Sequence, residues 1–191
     1  MEDLAEVIAE LICGDEERAE RAAVALSRYE EQALEALRSL LASPDSETRW
    51  WAVRALAEIP GKPARRLLIQ ALQEANNSVR QCAALGLYHQ PDPEASEALV
   101  AAMHSEDSLL ARLAANALIA IGAPATQKLL EVLNSSPQAA RLEAARALAL
   151  IADQRAIPSL FQVLDGESAL LEYWANKGLE RMGVGMVFFI P

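Results

Sequence analysis

The feature that most constrains this chain is an alanine that returns about every 30 residues, the interval expected of a repeat array. The clearest copy is DSETRWWAVRALAEIPGKP, residues 45–63, with Arg49 as its anchor. Comparable anchors stand at Ala19, Arg80, Arg112, Arg141 and Glu172. Three positions after the anchors come Ala22, Ala52, Ala83, Ala115, Ala144 and Ala175; seven positions after them come Leu26, Leu56, Leu87, Ile119, Leu148 and Leu179. Residues three and four apart share one face of an α-helix. Each unit therefore carries a helix, B, that turns one small and one large apolar residue inward. In such an array every unit packs on its neighbours, so 191 residues need no central core.

A second helix, A, precedes each B helix. Its mark is an apolar pair four residues apart: Leu37 and Leu41, Leu68 and Leu72, Leu99 and Met103, Leu129 and Leu133, Leu160 and Leu164. Leu4, Val7, Ile8 and Leu11 form the corresponding stripe in the first unit. Polar turns such as Ser43, Pro44 and Asp45 separate A from B and offer side chains that cap a helix start. Pro60 and Pro63, Pro91 and Pro93, Pro124 and Pro158 separate B from the next A. Proline ends one helix and fits the first turn of the next. The fold class predicted is all-α, a right-handed α-solenoid of about six helical hairpins at residues 1–30, 31–60, 61–91, 92–122, 123–154 and 155–183. Residues 1–183 read as one repeat domain, and residues 184–191, VGMVFFIP, as an apolar tail that caps the last unit.

Hydrophobic residues make up 52% of the chain and aromatics only 5%. Alanine and leucine supply the difference, which favours helices over sheets. The net charge of −10 argues against a phosphate backbone or an anionic membrane as partner. Cys13 and Cys82 are far apart and show no metal-ligand spacing. The acidic N-terminus lacks the basic start of a signal peptide, and no apolar run is long enough to cross a bilayer. A cytoplasmic protein is the expectation.

Nothing in the residues organises catalysis, a metal or a cofactor. His89 and His104, the only histidines, fall at helix ends, where dipole and cap roles account for them. Phosphate loops and the HExxH, GxSxG and CxxC motifs are absent from the sequence. The arginines at the anchors read as braces between a helix and a neighbouring turn, a role that suits a planar guanidinium.

The surface of the B helices is more informative. With the inward stripe at positions three, seven and ten, the opposite side is one, five and eight residues after the anchor. It contains Trp50, Arg54, Leu85, Tyr88, Leu113, Leu142, Arg146, Tyr173 and Lys177. Outward positions should be polar unless used, and Trp, Tyr and Arg are the types that dominate interfaces. These nine residues are the predicted partner-binding set, placed on the concave face of the array. Arg54, Arg146 and Lys177 would orient an acidic or polar segment.

An acidic turn, an arginine near the start of helix B, then small residues and a leucine make a pattern that resembles HEAT-like repeats. Asp45, Arg49, Ala52 and Leu56 carry it, and residues 151–160, IADQRAIPSL, look like the link between repeats of the short variety named after phycobilisome bilin lyases. The resemblance implies the helical repeat fold. For function it implies a range: a non-enzymatic scaffold for a protein or peptide partner, a bilin-lyase-like or chaperone-like subunit handling a tetrapyrrole or its carrier, or a DNA glycosylase. Residues and charge together favour the scaffold, as a monomer or as a homodimer joined through the tail.

Overall fold

The computed structural model describes residues 3–135, 137–164 and 168–184. Among the described residues there are twelve α-helices, four short 3-10 turns and no strand. The number and order of the helices are those the period predicts. They are α1 (Leu4–Leu11), α2 (Glu16–Ala25), α3 (Glu30–Leu40), α4 (Ser46–Leu56), α5 (Lys62–Ala71), α6 (Asn77–His89), α7 (Ser96–Met103), α8 (Ser108–Ile121), α9 (Thr126–Ser135), α10 (Gln138–Ile151), α11 (Ile157–Leu164) and α12 (Ala169–Arg181). The chain divides into two compact units, Met1–Ala98 and Leu99–Pro191. In the first, α2, α4 and α6 lie side by side, backed by α1, α3 and α5. In the second, α8, α10 and α12 lie side by side, with α9 and α11 against α10 and α12.

Local chemistry sets the helix starts. Asp15 accepts the Arg18 N–H at 2.9 Å, Asp45 that of Thr48 at 2.8 Å, Asn76 that of Ser78 at 2.9 Å, and Asp107 those of Leu109 and Leu110 at 3.0 Å. Such a cap stabilises a helix by about 1 kcal/mol. Prolines begin the A side, with Pro63 in the first turn of α5 and Pro93 and Pro124 in the 3-10 turns before α7 and α9. The first repeat has no such proline, and one 3-10 turn, Leu26–Tyr29, carries α2 into α3.

The inward stripe is the core. Ala52, Ala83, Ala144 and Ala175 are fully buried, as are Leu56, Leu87 and Leu148. In α8 the stripe sits one residue earlier than the anchors predict. Ala114 and Leu118 are fully buried there, whereas Ile119 is half-buried. The cap explains the shift. Anchors Ala19, Arg49 and Arg80 each stand four residues after their capping residue, and four after Asp107 is Ala111, not Arg112.

The repeats are braced by polar contacts that skip about 30 residues, one period of the array. Arg65 donates to Asp92 at 2.8 Å, and the Gln90 amide to the Ala57 and Ile59 carbonyls at 2.7 and 3.0 Å. In the second unit Thr126 donates to Asp153 at 3.1 Å and Arg155 to the Ala123 carbonyl at 2.6 Å. Arg65 holds the Asp92 carboxyl below the usual carboxylate range; Arg155, with its own N–H and Thr126 adding, holds Asp153 far below it. The anchor arginines are braces too. Arg49 reaches the Ser43 carbonyl at 2.8 Å and pairs with Glu74 at 3.2 Å, and Arg141 donates to the Leu133 carbonyl at 2.9 Å.

At the end of α12, Gly183 takes a φ of +78°, and the Val184 N–H reaches back to the Leu179 carbonyl at 2.9 Å. That is the closure a glycine after a helix permits. The docking expected of residues 186–190 falls outside the described residues.

Candidate partner-binding site

Counted from the capping residues, the outward rows of the B helices can be followed within each unit. In the first unit they frame a groove of about 870 Å³ at the starts of α2, α4 and α6. Glu16, Glu17 and Glu20 of α2 and Glu47 of α4 line it, with Trp50 beside them. Ser46, Asn76 and Ser78 bring the starts of α4 and α6 to the same groove. Trp50 is partly exposed, and its ring meets buried Trp51 edge-on, centroids 4.8 Å apart, which fixes its orientation. Glu20 pairs with Arg54, and Glu17 lies 3.9 Å from Arg21. Glu16 and Glu47 have no ion pair among the described residues.

Of the nine residues expected from the sequence, only Trp50 lines this groove. Leu85, 43% exposed, and Arg54 border a smaller depression of about 350 Å³ between α4 and α6. Tyr88 is exposed, its ring in a T-shaped contact with that of His89. In the second unit Tyr173 is exposed and Leu142 half-buried. Leu113 is half-buried, one position further round α8 than expected because of the shifted anchor. Exposed Leu109 and Leu170 extend the apolar strip of this unit toward the helix starts, where sequence reasoning did not look.

The basic part of the expected set needs correction. Arg146 is 7% exposed. Its guanidinium is spent on Glu143 at 2.9 Å and Asn116 at 2.8 Å, and Glu143 also accepts from Arg112 at 2.8 Å. Arg54 is held by Glu20 on one side and by Glu58 at 2.5 Å on the other. Neither presents a free cation to a partner, because both reach across to a neighbouring helix or turn of helix for a carboxylate. Lys177 is exposed, 3.1 Å from Glu180. In the first unit the open groove is acidic, opposite in sign to the expectation. The signal was present as Glu16, Glu17 and Glu20 on α2 and Glu47 at the matching place on α4, but a search confined to positions after the anchor passes over three of the four.

Among the described residues no group of three His, Cys, Asp or Glu side chains could hold a metal ion. Burial pushes the Cys82 thiol up to about 12, so at neutral pH it is a packing residue and no nucleophile. The His104 Nδ1 lies 2.8 Å from the Val100 carbonyl in the last turn of α7, a local cap. No single described helix is long and apolar enough to cross a membrane.

The chain is similar to several solved repeat structures. An archaeal HEAT-like repeats protein from Thermococcus onnurineus aligns over 98% of this chain and 83% of its own, with 15% identity and a TM-score of 0.66. An engineered protein aligns over 97% and 98%, with 26% identity and a TM-score of 0.54. The complex of CpcE and CpcF of phycocyanin lyase from Nostoc sp. aligns over 96% and 78%, with 25% identity and a TM-score of 0.56. Among curated proteins none matches. The PBS lyase HEAT-like repeat matches residues 140–166. HEAT repeats match residues 4–85 and 65–137, so most of the chain is covered by the motif whose caps, alanines and leucines build its hairpins, and the chain belongs to the HEAT-repeat family.

Proposed function

We propose that the chain is a non-enzymatic scaffold that binds a segment of a partner protein on the outward face of its B helices. The observation that carries this reading is the set of interface-type side chains left open on packed helices: Trp50 in its groove, Leu85, Tyr88 and Tyr173. Packing and the inter-repeat braces fix those helices before a partner arrives, which lowers the ordering cost of binding. Large aromatics in such positions contribute most of an interface's energy. The test is to isolate a partner from the source cells, then repeat binding with Trp50→Ala and Tyr173→Ala, and with Gln70→Ala at an exposed site on α5 as control. Loss of about 2 kcal/mol for either aromatic, and none for the control, is the expected result. Undiminished binding in both aromatic variants would sink the reading.

A second reading has its own observation. The match of residues 140–166 to the PBS lyase HEAT-like repeat, with the likeness to a phycocyanin lyase complex, favours a subunit that handles a bilin or its carrier protein. Adding a bilin and a carrier protein and recording the visible spectrum separates the two, since only this one predicts a change. Nothing favours a DNA glycosylase, whose phosphate-bearing substrate would meet four carboxylates in the groove.

A further inference from the structure

We propose that the groove at the starts of α2, α4 and α6 is the seat of a cationic, arginine-bearing segment of a partner protein, an assignment that rests on the scaffold reading above. Three observations converge on it. The groove holds about 870 Å³, room for side chains rather than for a single ion. It is lined by four carboxylates against one guanidinium, that of Arg21. Trp50 lines it beside them, the ring type that attracts a cation best.

Helix starts alone do not account for this lining. A carboxylate in a first turn offsets the helix dipole, which explains Glu16, Glu17 and Glu47 as helix stabilisers. Glu20, a full turn further along α2, has no such role, and a tryptophan beside the carboxylates gains nothing from the dipole. The dipoles also fail to make the groove an anion site. Three helix starts supply about +0.5 each, less than the two full charges that remain on Glu16 and Glu47 once Glu20 is set against Arg54 and Glu17 against Arg21. Glu16 and Glu47 remain without an ion pair among the described residues, so a ligand's cation need not displace a partner already present. Arginine fits better than lysine, because a planar guanidinium stacks on indole and donates in a fork to a carboxylate at once.

The test uses the full chain and a capped Arg-Gly-Arg-Gly-Arg peptide, with the Glu-for-Arg peptide beside it, read by calorimetry. Binding of the arginine peptide alone is expected, weakening as salt rises. Trp50→Ala should weaken it about tenfold. Glu47→Gln should weaken it several-fold, while Glu31→Gln on α3 changes nothing. Should Trp50→Ala fail to fold, judged by its melting curve, Glu47→Gln decides. No binding of the arginine peptide, or equal loss from Glu47→Gln and Glu31→Gln, overturns the proposal. Argininamide binding as tightly as the peptide overturns it as well, in favour of a small-cation pocket. A displayed library of random peptides separates the two readings. Neutral peptides sensitive to Tyr173→Ala and indifferent to Trp50→Ala would remove this proposal and leave the scaffold standing. A library with no binders, together with a silent arginine peptide, would remove both.

Discussion

The same backbone row carries opposite chemistry in the two units. Two residues before the anchor stand Glu17, Glu47 and Ser78 in the first unit and, with Ala111 as the anchor of α8, Leu109, Ala139 and Leu170 in the second, the two leucines 54% and 59% exposed. Residues 1–98 carry eighteen acidic side chains against ten basic ones, net −8; residues 99–191 carry nine against seven, net −2. The inward rows show no such contrast, being alanine and leucine in both. Packing on a neighbouring repeat restricts what may point inward, while nothing in the repeat restricts what points outward. The outward rows are therefore where one unit can differ from the other in what it binds.

The largest expected difference between the units lies in their buried cations. Arg146→Met removes a guanidinium bonded to both Glu143 and Asn116 in the interior of the second unit. It should cost about 2–3 kcal/mol by urea melting, less than a fully broken buried pair because Arg112 stays with Glu143. Arg54→Met removes a pair whose Glu20 partner is 46% exposed and should cost under about 1 kcal/mol. Equal costs would show that the second network is as solvent-screened as the first.

A smaller effect separates two glycines at the same place in the repeat. A Cβ on Gly178 would lie 2.9 Å from Leu160 and 3.0 Å from the Ala149 backbone, which cannot move aside. A Cβ on Gly86 would meet only side chains, Ala57 at 3.0 Å and Leu68 at 3.2 Å. Alanine gains about 1 kcal/mol over glycine in a helix, and overpacking costs about 1–3 kcal/mol. Gly178→Ala should therefore destabilise by about 1–2 kcal/mol, and Gly86→Ala by less, since beside the fixed Ala57 Cβ it meets only Leu68 methyls, which can rotate. The reverse order would mean that the seam between α10 and α12 is looser than that between α4 and α6.

Acid sharpens the comparison further. Asp92 and Asp153 both have folded pKa values below the unfolded value of about 3.9. A depressed carboxylate contributes stability that is complete above its unfolded pKa and is lost as pH falls through the folded one. Melting temperature should thus hold above pH of about 5 and fall below about 4. Asp153 is held lower by Arg155, its own N–H and Thr126, so Asp153→Asn should flatten the acid limb more than Asp92→Asn does. The smallest effect should be a gain. Ala152 ends α10 at φ 56°, where α8 ends on Gly122 at φ 76°. Ala152→Gly should stabilise by about 0.5–1 kcal/mol, because a left-handed backbone strains any residue with a Cβ.

Much of the fold was legible because the inward rows repeat. Alanine and leucine at fixed offsets, capping residues and prolines named nearly every helix. The exception is instructive. Arg112 imitates the arginine anchors and draws the eye one residue past the true start of the α8 stripe, so Leu113 was placed a position away from where it lies. Asp107, used as the reference, gives the right register, since its hydrogen bonds are to the first N–H groups of α8 itself, whereas Arg112 bonds across to Glu143 on the next B helix. The site was less legible. Trp50 and Tyr173 were recognisable as outward aromatics, but Arg146 was read as open when Glu143 and Asn116 enclose it.

By itself the sequence determined the class of structure, the number and order of the hairpins and the residues that face inward, because those depend on periodicity within about 30 residues. Tertiary structure alone decided which outward charges remain available. Arg54 is neutralised by Glu20, which stands 34 residues before it, and Arg146 by the nearby Glu143 while it donates to Asn116, 30 residues before it; among the described residues Glu16 and Glu47 meet no cation. Whether a charge is consumed depends on what the next helix brings within about 4 Å, a distance the Coulomb energy notices and a linear reading of the chain does not contain.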